Sequence, residues 1–180
     1  MEAVLENTVL DSVKHSRLLS DMTGVCTLAN IPPSYVKSSM KGVCSPKEVD
    51  WVRRFNALRE AGLGGIVLSG VSNSQARCLA IGGALIRNFI DARVLSLAAM
   101  IESKSDVPNP TVLVMPNFYL KSVTKSNTAW KGQVMYDTLM SRMVASRPTV
   151  LVIEDFESMT QEYGMMVREL LTSNFWIVQE

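Results

Sequence analysis

The chain contains few of the residues from which metal sites and disulfides are built. It has one histidine, His15, and three widely spaced cysteines, Cys26, Cys44 and Cys78. An odd number of cysteines with a single histidine argues against a Cys/His zinc site and is typical of reduced thiols in a cytoplasm. We therefore predict no metal site.

Long apolar runs and an excess of one charge are also missing. No apolar stretch reaches the roughly 18 residues that span a bilayer. The N-terminus, MEAVLENTVLDSVKH, lacks the basic start of a secretory signal. The 18 basic and 17 acidic side chains leave a net charge of +1, which does not indicate strong nonspecific nucleic-acid binding by a monomer. We expect a cytoplasmic protein without a membrane segment, whose DNA contacts would come from a local basic patch or from an oligomer.

What the chain does contain is an alternation of short apolar strands with amphipathic helices. At 180 residues it is long enough to bury one good core, so we expect one main domain. The alternation predicts an α/β fold with a parallel sheet covered by helices on both faces. Strands are predicted at 66–68, 93–99, 111–115, 149–153 and 175–178, and helices at 1–20, 46–62, from the central loop to about 88, 133–146 and 159–173.

The region before the first strand divides into two parts. Residues 1–20 have the apolar spacing of a helix, which either packs on the domain that follows or docks a partner. Residues 21–50 are predicted to be a connector, because Pro32-Pro33 and Pro46 forbid one continuous helix. Within it, the run at 45–48 (SPKE) has the serine, proline and glutamate of a helix start.

The segment 65–88 has the layout of a strand, a phosphate loop and a helix. Counted from Gly70, the motif G-x-x-x-x-G-K-[ST] places Gln75 at its second glycine, Ala76 at its lysine and Arg77 at its hydroxyl residue. The loop therefore lacks the ammonium that neutralises phosphate charge and the hydroxyl that ligates magnesium. This pattern predicts an ATPase fold that has lost ATP hydrolysis.

One route to weak nucleotide or anion binding remains open in this loop. Arg77 would begin the helix whose N-terminal dipole favours anions, and Asn73 and Ser74 would offer backbone donors. The alternatives are a purely structural loop and a loop used in a protein interface. ATP with magnesium is expected only if this degenerate loop still binds, and no other cofactor is predicted.

Five segments, taken in order, carry a family resemblance. They are ANIPPSY at 29–35, the helix and strand at 52–70, the helix residues at 79–86, YDTLMSRMVASRPTVLV at 136–152, and the closing helix at 163–171. Together they resemble the DnaC/DnaI/IstB type of AAA+ ATPase, the helicase loaders and their transposition relatives. The resemblance implies an AAA+/P-loop-like domain at 29–180, preceded by an N-terminal helical extension and linker at 1–28.

The resemblance also implies catalytic positions, and the chain departs from the family at each of them. In the family, the strand resembling 112–115 ends in two carboxylates that hold magnesium and polarise water. Here these Walker B positions are Pro116 and Asn117, which cannot replace a pair of acids. The next strand should end in a polar sensor of the γ-phosphate, and here Glu154 and Asp155 stand there. We therefore assign no catalytic residue.

A rival alignment gives the same acids a different role. The run VLVIED at 150–155 itself resembles a magnesium-binding strand end, with Asp155 or Glu154 as ligand and base. Only 25 residues would then follow that strand, and the loop would still lack its lysine. A third reading is a solvated turn after a strand.

The resemblance implies a function in DNA replication. We expect a loader-like AAA+ module without ATPase activity that binds the replicative DnaB-type helicase, of a kind that a phage or another mobile element encodes and that works in the host cytoplasm. The alternatives are a divergent active P-loop ATPase loader and an inhibitor of host helicase loading. Because nucleotide holds such subunits together, we expect a monomer or small assembly when free and an oligomer that depends on the partner.

A cluster of lysines with one tryptophan is the candidate contact with single-stranded DNA. Lys121, Lys125 and Lys131 lie on either side of Trp130 in sequence, and in such surfaces aromatics stack on bases while lysines follow phosphates. The alternative is an ordinary solvated loop.

Overall fold

A five-stranded sheet forms the centre of the protein. The computed structural model describes residues 8–96, 99, 109–121 and 129–180. The strands are β1 (Gly65–Ser69), β2 (Ala92–Val94), β3 (Val112–Tyr119), β4 (Thr149–Ile153) and β5 (Phe175–Gln179). They lie in the order β2-β3-β4-β1-β5, and every neighbouring pair is parallel. The predicted parallel α/β sheet is confirmed.

Nine helices are seen in the described residues. They are α1 (Ser16–Ser20), α2 (Met22–Ala29), α3 (Pro33–Lys37), α4 (Pro46–Arg53), α5 (Phe55–Glu60), α6 (Ser74–Arg87), α7 (Ala129–Val144), α8 (Phe156–Tyr163) and α9 (Met165–Asn174). None of the helices in the described part of the chain combines the length and the apolar character that a bilayer crossing requires.

The core lies on both faces of the sheet because neighbouring residues in a strand point to opposite sides. Ile66 and Leu68 of β1 pack into one cluster with α6, whereas Val67 between them packs into a second cluster with α7, α8 and α9. All three of these side chains are fully buried. The continuous apolar strands of the sequence are therefore explained by burial on both sides.

The residues before β1 belong to the first of these faces. Leu18, Ile31, Val36 and Trp51 are buried in the same cluster as α6. Of the two readings of the N-terminal segment, packing on the domain is therefore what the structure shows for residues 16–20.

The structure of this region differs from the prediction in one respect and adds detail in another. Residues 8–15 are not helical, because Asp11 accepts the amides of Val13 and Lys14 and thereby forms a turn that competes with a helix. Residues 1–7 of the predicted helix lie outside the described residues. The predicted connector at 21–50 contains α2, α3 and the start of α4, and, as predicted, no single helix runs through its prolines.

The start of α4 is as predicted. Pro46 occupies its first position, and the backbone N–H of Ser45 donates to Oε2 of Glu48 at 2.5 Å. The single predicted helix is divided at Arg54, whose backbone leaves the helical conformation between α4 and α5. The stop near Gly62 is confirmed, since α5 ends two residues earlier and Gly62 has a φ of 83°.

The second half of the chain differs from prediction mainly at the ends of elements. β2 is shorter than predicted and ends at Val94, and residues 97 and 98 of the predicted strand lie outside the described residues. The predicted helix at 159–173 is two helices, because Gly164 adopts a φ of 90° between α8 and α9. β3 runs four residues beyond its predicted end, through Pro116 and Asn117 to Tyr119.

Candidate functional site

The carboxyl ends of β1, β3 and β4 are joined at one edge of the sheet. The backbone N–H of Gly70 donates to the carbonyl oxygen of Ile153 at 3.0 Å, and that of Glu154 donates to the carbonyl of Tyr119 at 3.0 Å. Ligands of parallel α/β sheets bind at this edge. The sequence-predicted loop and the predicted sensor acids are therefore neighbours.

A pocket of about 390 Å³ lies at this edge. Its lining consists of Gly70, Val71, Ser74, Leu120, Val152, Ile153 and Glu154. The hydroxyl of Ser74 and the carboxylate of Glu154 are the polar side-chain groups of this lining, and no lining residue is a lysine or an arginine. The pocket thus offers negative charge where a nucleotide-binding loop normally offers positive charge.

The loop between β1 and α6, residues 70–73 and called the Gly70 loop below, is shorter than the motif alignment implies. Helix α6 begins at Ser74, and Asn73 before it is in the left-handed conformation with a φ of 51°. The prediction that Arg77 opens the helix is wrong, since its N–H already donates to the carbonyl of Asn73 at 3.1 Å. The first amides of α6 have no partner within the helix, and Asn73 makes no side-chain cap.

The side chain of Arg77 is buried between two carboxylates. Its Nε lies 2.9 Å from Oε1 of Glu48 and its Nη2 lies 2.9 Å from Oε2 of the same residue, while Nη1 donates to Oε1 of Glu180. Arg77 and Glu48 are 3% and 0% exposed. Although burial alone lowers it, the two carboxylates raise the pKa of Arg77 above its ordinary value. The guanidinium therefore faces Glu48 and Glu180, and it is absent from the pocket lining.

Glu180 connects this ion cluster to the Gly70 loop. Its Oε2 accepts the backbone N–H of Ser72 at 3.3 Å and the Ser72 hydroxyl at 3.2 Å. The contact exists because β5 pairs with β1 in a register that sets Gln179 opposite Ser69. The hydrogen bond from Arg77, followed by that from the Ser72 amide, lowers the pKa of Glu180.

Sequence reasoning missed both acids of this cluster. Glu48 was noticed only as part of a helix start, and nothing in the sequence pairs it with Arg77, 29 residues away. The position of Glu180, one residue after the last strand, did carry a signal. The carboxyl ends of parallel strands meet at the same edge of a sheet, so a charged residue just after β5 belongs beside the loop after β1.

The two predicted sensor acids do different things. Oε2 of Glu154 accepts the backbone N–H of Lys121 at 2.8 Å at the rim of the pocket. Asp155 is the N-cap of α8, where it accepts from the amide of Glu157 at 3.1 Å and the hydroxyl of Ser158 at 2.6 Å. Its Oδ2 also lies 2.6 Å from Nζ of Lys121, and that contact chiefly holds the pKa of Asp155 well below its usual range.

Pro116 and Asn117 are not at the end of a strand. The register of β3 against β4 shifts between Met115 and Tyr119, so these residues lie in a bulge, where the missing N–H of proline is tolerated. Tyr119 instead stands beside the end of β4. Neither this position nor the rest of 109–121 contains a carboxylate. In the described residues no group of three or more His, Cys, Asp or Glu side chains could hold a metal ion.

The candidate DNA contacts are found in two places. Lys121 follows β3 and is paired with Asp155, whereas Trp130 and Lys131 lie in the first turn of α7. Trp130 is 51% exposed, as base stacking requires. Lys125 lies outside the described residues.

Comparison with known proteins identifies relatives by structure alone. No family model and no curated protein matches the chain by sequence. The fold is similar to that of DnaI, with a TM-score of 0.56 and 15% identity over 83% of this chain and 94% of that one. It is also similar to AMPPCP-bound DnaA from Aquifex aeolicus (TM-score 0.57, 10% identity) and to DnaA bound to AMPPCP and single-stranded DNA (0.54, 12%).

The matches differ in the share of each solved structure that this chain covers. The chain spans about half the length of the DnaA structures, again over 83% of its own residues. At 10 to 15% identity the similarity shows the fold. The five-stranded parallel sheet with its flanking helices is the fold that this chain shares with the DnaI and DnaA structures.

Proposed function

We propose that the protein is a loader-like AAA+ module that acts by binding the replicative DnaB-type helicase and does not hydrolyse ATP. The observation that supports this most strongly is the likeness to DnaI, because it extends over 94% of that chain.

The chemistry of the Gly70 loop favours a module without ATP hydrolysis. Phosphoryl transfer requires positive charge on the phosphates and a metal held by acids. Here Ala76 stands at the lysine position, Arg77 is bound to two carboxylates, and Glu154 brings negative charge to the pocket. The end of β3 is neutral. These residues do not fit ATP with magnesium.

A divergent ATPase would need Arg77 together with Glu154 or Asp155 for catalysis. Arg77 is held by Glu48 and Glu180, Asp155 by the helix cap and Lys121, and Oε2 of Glu154 accepts the backbone N–H of Lys121. We expect no magnesium-dependent ATP turnover above a buffer blank, even with helicase and single-stranded DNA. Turnover that is lost in Asp155→Asn would establish the ATPase instead.

The helicase-binding part of the proposal can be tested by co-purification with a hexameric DnaB-type helicase. By analogy with the family, the N-terminal segment is the docking element, and within it Val13 is 84% exposed. Val13→Glu should abolish capture. Val144→Glu is the matched control, because Val144 is 82% exposed at the end of α7 on the other face of the sheet. If the wild-type protein captures no helicase, this function is excluded.

The same complex could promote or block loading. Adding the purified protein to a helicase-loading reaction decides between a loader and an inhibitor, because only the first raises the amount of helicase on DNA.

The proposed contact with single-stranded DNA rests on Trp130. Stacking on a base is worth about 1–3 kcal/mol, so Trp130→Ala should weaken binding of an oligonucleotide about 5- to 150-fold. Phe89→Ala is the control, because Phe89 is also exposed, at 59%, but packs against His15 before α1. Equal effects of the two substitutions would exclude a role for Trp130.

A further inference from the structure

The carboxylate of Glu180 is held by the kinds of donor that usually hold a phosphate. It accepts one backbone amide and one hydroxyl, both from Ser72 in the Gly70 loop, and one guanidinium N–H, from Arg77. Loop amides, hydroxyls and arginines are the recurring donors of phosphate sites. The side chain of the residue after β5 is thus an anion bound to the loop after β1.

The guanidinium donor in this arrangement is buried, whereas the acceptor is exposed. Nε and Nη2 of Arg77 are held by Glu48, and these two side chains are 4% and 0% exposed, so the direction of Nη1 is set from within the core. The side chain of Glu180 is 44% exposed and lies at the surface. A rotation of Glu180 into solvent would free Nη1 and Ser72 without moving the buried pair.

The charges around the cluster indicate what would replace Glu180. Arg77 supplies one positive charge against the negative charges of Glu48 and Glu180. Burial raises the pKa of the Cys44 thiol to about 12 and also raises that of Cys78, so the nearby thiols are neutral and add no charge. Without the Glu180 charge the cluster is neutral, and the N-terminus of the 14-residue helix α6 then favours an anion.

We propose that Glu180 is an autoinhibitory latch on the Gly70 loop, whose carboxylate holds Ser72 and Nη1 of Arg77 against binding of a phosphate-class anion. The latch depends on the proposed function in one respect, which is that the Gly70 loop corresponds to the nucleotide loop of AAA+ proteins. It explains how such a loop can keep phosphate donors and still stay closed, since a side chain that is always present competes with any free anion.

The test is the affinity of the purified full-length protein for inorganic pyrophosphate, measured by calorimetry without magnesium. Glu180→Gln keeps the size of the side chain and removes the charge that holds the donors. Glu169→Gln is the control, because it removes the same charge from an exposed position on α9. We expect Glu180→Gln to bind pyrophosphate at least about tenfold more tightly than the wild type, and Glu169→Gln to match the wild type.

Two results would overturn the latch. One is equal affinity of Glu180→Gln and the wild type, and the other is an equal gain in Glu169→Gln, which would reduce the effect to net charge. Adding Ser72→Ala to Glu180→Gln should remove part of the gain, because it deletes the hydroxyl donor.

A second measurement needs no variant, in case Glu180→Gln does not fold. In the wild type, saturating pyrophosphate should shift the amide resonance of Ser72 and the carboxyl resonance of Glu180 together, and movement of neither overturns the proposal. Neither experiment contains helicase, so a failed latch leaves the helicase proposal standing, and failed helicase capture leaves the latch standing.

Discussion

Two buried arginines stand at opposite edges of the sheet, and their partners differ in kind. Arg77, at the carboxyl edge, binds the carboxylates of Glu48 and Glu180. Arg142, at the amino edge, donates only to neutral oxygens among the described residues, with Nε 3.1 Å from Oγ1 of Thr149 and Nη2 3.2 Å from the carbonyl of Pro148.

The amino edge presents further neutral acceptors. Arg142 also reaches the carbonyl of Pro110 at 3.2 Å and Oδ1 of Asn109 at 3.3 Å, so it joins the segments that enter β3 and β4. Burial, with a smaller contribution from Arg147, lowers the pKa of Arg142 to about 10, which still leaves it charged at neutral pH.

The difference separates an arginine whose contacts do not depend on pH, Arg142, from one whose contacts do, Arg77. None of the partners of Arg142 titrates, so its hydrogen bonds do not depend on pH between acid and neutral values. The carboxyl edge depends on acids, of which Glu180 is accessible to solvent. Adjustable chemistry is therefore confined to the edge where parallel sheets bind ligands.

The largest expected effect comes from removing the cation of the carboxyl edge. Arg77→Met leaves Glu48, which is fully buried, without its countercharge, and breaking such a pair costs about 3–5 kcal/mol. Urea unfolding should show this loss. Glu48→Gln added to Arg77→Met should recover part of it, because an amide is less costly to bury than a charge. No recovery would contradict the assigned cause.

Removing the cation of the amino edge should cost less. Arg142→Met leaves carbonyl oxygens unpaired but no buried charge, so we expect a loss of about 1–3 kcal/mol in the free energy of unfolding. The measurement is the same urea titration. If Arg142→Met proved more damaging than Arg77→Met, the contrast between charged and neutral partners would be wrong.

A single acceptor of Arg142 can be removed with little change of shape. Thr149→Val deletes Oγ1, the partner of Nε, and keeps a β-branched side chain in β4. We expect a loss of about 0.5–1.5 kcal/mol in urea unfolding, which is the worth of one hydrogen bond. A loss as large as that of Arg142→Met would mean that the other acceptors contribute nothing.

The smallest effect is a difference in pH dependence. The pKa of Glu180 is lowered in the folded protein, so its contribution to stability is complete above its unfolded value of about 4.3 and is lost as the pH falls below it. Unfolding between pH 5 and 2 should therefore show a shallower loss of stability in Glu180→Gln than in the wild type. Asp155, whose pKa is also lowered, leaves a residual slope in the variant.

Arg142→Met is the control for this measurement. It should keep the acid dependence of the wild type, because none of the partners of Arg142 titrates in this range. A reduced slope in Arg142→Met would show that the two edges are coupled.

The fold could be predicted from the sequence because buried strands and helix starts have characteristic local sequence patterns. The β-branched run at 149–153 becomes β4 with unchanged limits, and Pro46 with Glu48 starts α4 as expected. The bulge at Pro116 left no such record, because pairing with β4 resumes only at Tyr119 and depends on a strand from elsewhere in the chain.

The candidate site was predictable only as a location. The Gly70 loop, Ser74 and Glu154 do come together at one pocket. The role of Arg77 was not predictable, because its partners lie 29 and 103 residues away and no local rule relates them. Arg77 was read as a phosphate ligand because of its place near the start of a helix, whereas in the structure its side chain lies between Glu48 and Glu180.

The paired glycines of α6 have a consequence for how this protein can be shortened. A Cβ on Gly83 would overlap the backbone carbonyl of Tyr35, and one on Gly82 would press on the side chain of Ile31. Helix α6 therefore has no side chains along this line, and the segment around Ile31 and Tyr35 packs directly against its backbone. A fragment starting at Met40 would expose the backbone of α6 to water along this line, so the segment around Ile31 and Tyr35 is part of the packed domain and not a detachable arm.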